Sequence, residues 1–446
     1  MRKALTYSSV SGALLSALSV FVLGINFGAN PAVGGLTWQY LLILASLPVL
    51  LALVVMRLRH NSTLKLVYAR WLIIPILMLF LWAYGVLMGL FQDNSLLFIV
   101  RNNAGMIAYA LAIPLFFFPS RVNVIKLLNA AGLLVMGATL LLHILSKLIG
   151  WEVESAFSER IFGPTVGAGG VRWGRIFFYT QFLVCVPMVL SLTTLLSGAF
   201  GLRQRVISLV TLAGSLYVLF GLSMSKGMVL AALFSLAMLV TCFFLAGRRR
   251  GLIASVIAPV LLFGGVSYVA ATPDNVVSRT FFSADDLSNG PRFEQVRYLV
   301  ADTTMLGQGL GATIPGYTRA KGLDYGFELS YLAVFHKFGV FGLIPLLAYA
   351  YTLLMIIRLV RQRRLSARDG AALGAGMSFL MPAIGNPGLF SIQEVLTHSL
   401  VLLHLANAQR RSLPKDKHVG ARQSHVRAVG AASWPASVTP LASESR

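Results

Sequence analysis

One glutamate and a handful of basic residues carry the chemistry this sequence offers. Glu328 follows Tyr325-Gly-Phe and precedes an apolar run, which puts a carboxylate at a membrane surface. A partly desolvated carboxylate holds protons more readily than one in water, as a general base must. The plainer alternative is a surface pair with Arg319 or Lys321. Arg292 and Arg297 stand upstream, after Pro291. Guanidinium forks suit diphosphate oxygens, and together with Arg319 they suit a polyanionic lipid substrate. The spacing keeps Arg292 and Arg297 off one helical face, so one is expected to reach substrate and the other Glu294 or Asp302. Ordinary surface salt bridges are the competing reading.

Lys226 lies in Leu222-Ser-Met-Ser-Lys-Gly227, where two hydrophobic helices meet almost without a loop. A lysine beside Ser225 at a helix start can hold a phosphate. A snorkelling anchor would look the same. In a second polar interval Arg160, Arg172 and Arg175 flank Gly163-Pro and Gly169-Gly, with Trp151 and Trp173 nearby. They could cradle a sugar and a phosphate, or anchor the chain at an interface. Arg101 sits inside an apolar run, where a charge needs a partner or a function; Glu394 is the candidate partner. His143 and His404 are isolated. With no His-Glu-x-x-His and no paired histidines, no cofactor and a metal-independent reaction are expected.

The elements that position these residues are helices. The chain is 57% hydrophobic and only 12% charged, more apolar surface than a soluble protein can hide. A bilayer core of ~30 Å needs about 20 apolar residues per helix. The expected class is all-α, a polytopic membrane bundle of about twelve spans. They run at roughly 9–26, 38–56, 71–91, 96–118, 127–145, 176–198, 206–223, 227–246, 252–270, 338–358, 371–386 and 389–407. Residues 1–407 then form one transmembrane domain, with a disordered basic tail over 408–446.

The net charge of +22 does not argue for nucleic acid, because the basic residues lie in short loops and the tail. Their alternation places both termini in the cytoplasm by the positive-inside rule. The acids gather in two opposite-side loops, about 146–175 and 271–337, expected to contain short helices. In the second loop Asn289 and Pro291 signal a helix start, with Phe293, Val296 and Val300 on one stripe. Gly307-Gln-Gly-Leu-Gly311 reads as a flexible turn, and Glu328-Leu-Ser-Tyr-Leu332 enters a new apolar run. Cys185 and Cys242 read as small buried hydrophobes. There is no glycine-rich nucleotide motif, so any substrate must reach the outer face already activated.

Six short motifs, in this order, resemble the O-antigen ligase/polymerase superfamily, which includes Wzy-type polysaccharide polymerases and WaaL-type ligases. They are Ser225-Lys226-Gly, Arg292 opening a loop helix, Gly307-Gln-Gly-Leu-Gly311, Glu328-Leu-Ser-Tyr-Leu332, Gly339-Val-Phe-Gly342 and Asn386-Pro-Gly-Leu389. The resemblance covers roughly 172–405. It implies an undecaprenyl-diphosphate-linked oligosaccharide donor at the outer face of the bacterial inner membrane. It also implies Glu328 as base and Lys226 and Arg292 on the diphosphate, supported by Arg297, Arg172 and Arg175. Ser225, Arg319, Tyr331 and Arg101 are expected to contact substrate. A chain-length regulator and a flippase are the implied partners. Ligases of this kind carry His-Asn where this chain has Glu328-Leu329, and that difference favours a polymerase. A ligase remains the nearest alternative, and a secondary transporter is the alternative from another class.

Overall fold

The computed structural model describes residues 66–102, 104–117, 123–150, 169–172, 175–197, 200–223, 225–247, 289–317, 329–385 and 388–411, with single positions 48, 52, 55 and 327. The described chain is mostly helical. Five helical runs are long and apolar enough to cross a membrane: Arg70–Phe91, Val124–Ile149, Leu202–Leu222, Lys226–Leu245 and Ser330–Arg361. The expected spans 9–26 and 252–270 and nearly all of 38–56 lie outside the described residues, as does the tail from 412 onward.

The helices are α1 (Leu66–Phe91), α2 (Leu96–Arg101), α3 (Tyr109–Phe117), α4 (Val124–Ile149), α5 (Cys185–Leu196), α6 (Leu202–Leu216), α7 (Lys226–Leu245), α8 (Asn289–Asp302), α9 (Ser330–Phe338), α10 (Leu343–Arg361), α11 (Ala367–Gly376) and α12 (Ile392–Arg411). A 3-10 turn, Gly339–Gly342, joins α9 to α10 in one run.

Three expected spans are broken. The 96–118 stretch is α2, a 3-10 turn over Ala104–Ala108, and α3. The polar Arg101-Asn102-Asn103 interrupts it, which an apolar average conceals. The 176–198 stretch opens as strand β2 (Arg175–Phe178), then a 3-10 turn (Tyr179–Val184), then α5. The 371–386 stretch is the end of α11 followed by 3-10 turns Met377–Leu380 and Pro382–Ile384. Pro382 lacks the N–H a continuing helix needs. The last expected span, 389–407, is unbroken and is the long helix α12. It is not one of the five apolar runs, and it extends to Arg411, into the expected tail.

Helix α12 is central. From Ile392 to Ala406 it is buried almost throughout, polar Gln393, Glu394, Thr397, His398 and Ser399 included. Helices α1, α3 and α10 pack around it. Thr352 Oγ1 donates to Ala348 O (2.8 Å), so it accepts from His398 Nε2 at 2.9 Å. That leaves His398 Nδ1 to accept from the Tyr109 hydroxyl at 2.9 Å, joining α10, α12 and α3. His143 instead lies by α6, 3.0 Å from the Tyr217 hydroxyl.

The two ends of the bundle differ. At one, Trp71 Nε1 donates to Gln409 Oε1 (3.0 Å), tying the start of α1 to the end of α12. Arg368 stacks over Phe200 at 5.9 Å there, before α6. The opposite end holds α8, the end of α1, the start of α7 and the start of α12.

Candidate functional site

Helix α8 lies with a polar face inward. Gln295 is 1% exposed and Leu299 fully buried, whereas Phe293 is 75% and Val300 62% exposed. The Phe293–Val296–Val300 stripe of the sequence therefore points away from the protein. In a chain surrounded by lipid, apolar periodicity marks the outward face as readily as the inward one. Gln295 Nε2 donates to the Tyr317 hydroxyl (3.2 Å), and its Oε1 accepts from the Leu329 N–H (3.0 Å). The far end of α8 is held by Asp302 Oδ2, 2.8 Å from His336 Nε2 on α9.

The glycine tract after α8 is no flexible turn. Gln308 N–H and Gly309 N–H donate to the α9 carbonyls of His336 (2.7 Å) and Lys337 (3.0 Å). Leu310 N–H donates to Gly85 O of α1 at 2.8 Å. Asn94 Nδ2 bridges the carbonyls of Gln308 (2.8 Å) and Leu310 (3.0 Å), and the Tyr84 hydroxyl donates to Leu306 O (2.7 Å). The glycines are there for close approach as well as for φ. Gly307 and Gly339 both have positive φ, and a Cβ on either would strike the other's backbone. The tract wedges α8 against α1 and α9 and so fixes where Arg292 sits.

Arg292 opens the first turn of α8, half-buried, with its guanidinium lying along Gly385: a Cβ on Gly385 would be 3.7 Å from Arg292 Cζ. Gly385 directly follows the 3-10 turn Pro382–Ile384, on which both α7 and α9 pack. Helices α7 and α11 run antiparallel, Cys242 against Gly370 and Met238 against Gly374. That direction of travel carries 382–385 toward the first turns of α7, where Lys226 begins the helix. Ser225, its buried N-cap, accepts from Met228 N–H (3.0 Å) and Val229 N–H (3.1 Å) through its carbonyl. Just before it, Tyr217–Leu222 forms a π-turn, a local widening that re-aims the helix end. The arrangement gives one bundle end a guanidinium and an ammonium on elements that share the Pro382–Gly385 segment, a geometry suited to an elongated anion.

The other expected site residues divide. Arg297 is exposed. Arg172 and Arg175 are backbone partners in an antiparallel hairpin, β1 (Gly169–Arg172) with β2, where a short helix was expected. Strand β2 packs against the π-turn, at the Lys226 end of the bundle. Tyr331 commits its hydroxyl to Leu380 O at 2.7 Å, while Ser330 Oγ accepts from Leu389 N–H at 3.4 Å. The start of α9 thus clasps both flanks of the Pro382–Gly388 break. Glu328 and Arg319 lie outside the described residues; Phe327 and Leu329 on either side of Glu328 are described.

Arg101 stands not within one long helix but at the last position of the six-residue α2. Its Nε is buried with no hydrogen-bond partner among the described residues. Glu394 is not shown as its counter-ion. Glu394 Oε2 accepts from Ser391 N–H (3.0 Å) and Ser391 Oγ from Glu394 N–H (3.4 Å), a capping box closing the start of α12.

Sequence reasoning missed Lys337. Its Nζ donates to Asn102 Oδ1 at 2.7 Å, both residues buried, and stands 5.6 Å from the Phe327 ring centroid. The signal was present, a lysine amid apolar residues, but the expected span began at 338, one position too late. Among the described residues no three His, Cys, Asp or Glu side chains group as metal ligands. Compared with family models and with curated proteins, the chain matches none.

Proposed function

We propose that this chain is a glycosyltransferase that joins polyprenyl-diphosphate-linked oligosaccharide repeat units into exopolysaccharide or O-antigen at the outer face of a bacterial inner membrane. The observation that carries the reading is the approach of Arg292 and the start of α7 to the one segment Pro382–Gly385. Two cations on separate helices suit a diphosphate, whose charge grows as it leaves. The outward stripe of α8 supports it too: a helix with Phe293, Val296 and Val300 exposed lies readily along a lipid surface. Arginines at the opposite bundle end fit a cytoplasmic side there.

In the proposed reaction Glu328 takes the proton from an acceptor-sugar hydroxyl. That oxygen bonds to the anomeric carbon of the donor as the carbon–oxygen bond to diphosphate breaks. The electron pair leaves with polyprenyl diphosphate, held by Arg292 and Lys226. One displacement inverts the anomeric centre, and the lipid-linked bond supplies the driving force.

The test is purified full-length protein in lipid nanodiscs, given a polyprenyl-diphosphate-linked repeat unit and no ion gradient. A ladder of lengthening glycans is expected, lost in Glu328→Gln. Transfer only to lipid A–core would make it a ligase. No product with any acceptor, alongside gradient-driven uptake of the glycan lipid in vesicles, would make it a transporter.

A further inference from the structure

The basic end of the bundle contains a cavity of about 300 Å³ with no assigned role. Arg70, Arg358 and Arg364 line it, with Trp71, Tyr351 and Gln409 among its other walls. Among the described residues no acidic side chain lines it. The chain holds none before Asp93, so the residues preceding α1 supply none either. The space equals about ten waters at ~30 Å³ each, room for a phosphodiester and its glycerol. Three of the walls are joined: Trp71 donates to Gln409, and its ring centroid is 5.8 Å from that of Tyr351.

What separates this cavity from a site for a soluble anion is what leads away from it. On α1 the face of Arg70 continues as Ile73, Leu77 and Phe80, all exposed. On α10 the face of Arg358 continues as Leu354, Tyr351 and Leu347, again all exposed. The two helices run side by side in opposite directions, Trp71 against Tyr351 at one level and Tyr84 against Phe341 (4.9 Å) at another. Each stripe is apolar, aliphatic but for Phe80 on one and Tyr351 on the other, and ends in an arginine at the same cavity. That pattern matches a lipid lying with its acyl chains on the stripes and its phosphate among the guanidinium groups.

We infer that the Arg70–Arg358–Arg364 cavity binds the head group of an anionic glycerophospholipid from the leaflet at that end. The test is native mass spectrometry of the full chain in detergent, titrated separately with phosphatidylglycerol and phosphatidylcholine. Phosphatidylglycerol is expected to bind in preference. Arg358→Gln and Arg364→Gln should each weaken it roughly five-fold, as one arginine near anionic lipid is worth. Arg358→Lys should keep most of the preference. Arg361→Gln makes the same charge change at an exposed neighbour that does not line the cavity and should alter nothing. Melting curves taken without lipid must match for all variants, with Arg70→Gln replacing any that does not. Equal binding of the two lipids, an equal loss in Arg361→Gln, or displacement of phosphatidylglycerol by millimolar inorganic phosphate would each overturn the assignment.

Discussion

Gly309 and Gly89 meet backbone to backbone: a Cβ on Gly309 would stand 2.1 Å from the Gly89 nitrogen. Nothing flexible can yield there, because both sides are main chain. Gly309 also has φ +76°, which costs an alanine about 1–2 kcal/mol before any clash. Gly309→Ala should therefore lower the melting temperature in detergent clearly. Gly137→Ala, on α4 with nothing within 4 Å of its Cβ, should not lower it, because helix propensity favours the alanine by roughly 1 kcal/mol of stability. Similar melting curves for the two variants would show that the tract is not the wedge described above.

Arg292 and Gly385 give the proposed reaction a test that does not depend on removing charge. Arg292→Gln should cost polymerisation about 10²–10³-fold, the scale of losing one donor to a developing anion. Arg292→Lys keeps the charge but not the planar fork, and should recover only part of the rate. Gly385→Leu leaves every charge in place yet fills the space along the guanidinium, 3.7 Å beyond a Cβ. Its rate, measured with the same lipid-linked repeat, should fall as well. Wild-type rates in Gly385→Leu and Arg292→Gln together would remove Arg292 from the site.

Much of the scaffold was legible because run length is a strong signal: α1, α4 and α7 lie close to where hydropathy places them. The misses have physical causes. The 96–118 and 371–386 stretches average as apolar, but Arg101-Asn102 and Pro382 interrupt the helix locally. The glycines at 307, 309 and 311 read as freedom, whereas the fold uses them for close approach. Capping of α12 by Glu394 was present in the Ser391-x-x-Glu394 spacing, but its nearness to an apolar run suggested an ion pair instead. The link between Arg292 and the α7 end was not legible at all. It runs through Pro382–Gly385, about 90 residues beyond Arg292 and more than 150 beyond Lys226 in sequence, and only the tertiary fold supplies it.

The capping box at α12 separates the two roles for Glu394. A glutamine at the third helical position can still accept from Ser391 N–H, so Glu394→Gln should cost little stability. Glu394→Ala loses that bond and should cost about 0.5–2 kcal/mol, the usual range for a lost cap. Thermal unfolding of the two variants checks this. If Glu394→Gln proved as damaging as Glu394→Ala, the negative charge itself would matter, and Arg101 would return as its counter-ion.

Lys337 and Asn102 set up an asymmetric pair of losses. The Lys337 ammonium and the Asn102 amide are both buried, joined at 2.7 Å, and the Phe327 ring covers the lysine from another side. Removing the acceptor leaves buried N–H donors with one partner fewer, a penalty of about 1–3 kcal/mol. Removing the donor as Lys337→Met keeps the volume and leaves only a neutral amide oxygen exposed to the core. Asn102→Leu should therefore destabilise the protein more than Lys337→Met. The double variant should recover much of the Asn102→Leu loss, because two apolar side chains then face each other. Melting temperatures of the three proteins decide it. A double variant whose loss is the plain sum of the singles would mean that the two groups are not energetically coupled, whatever their distance.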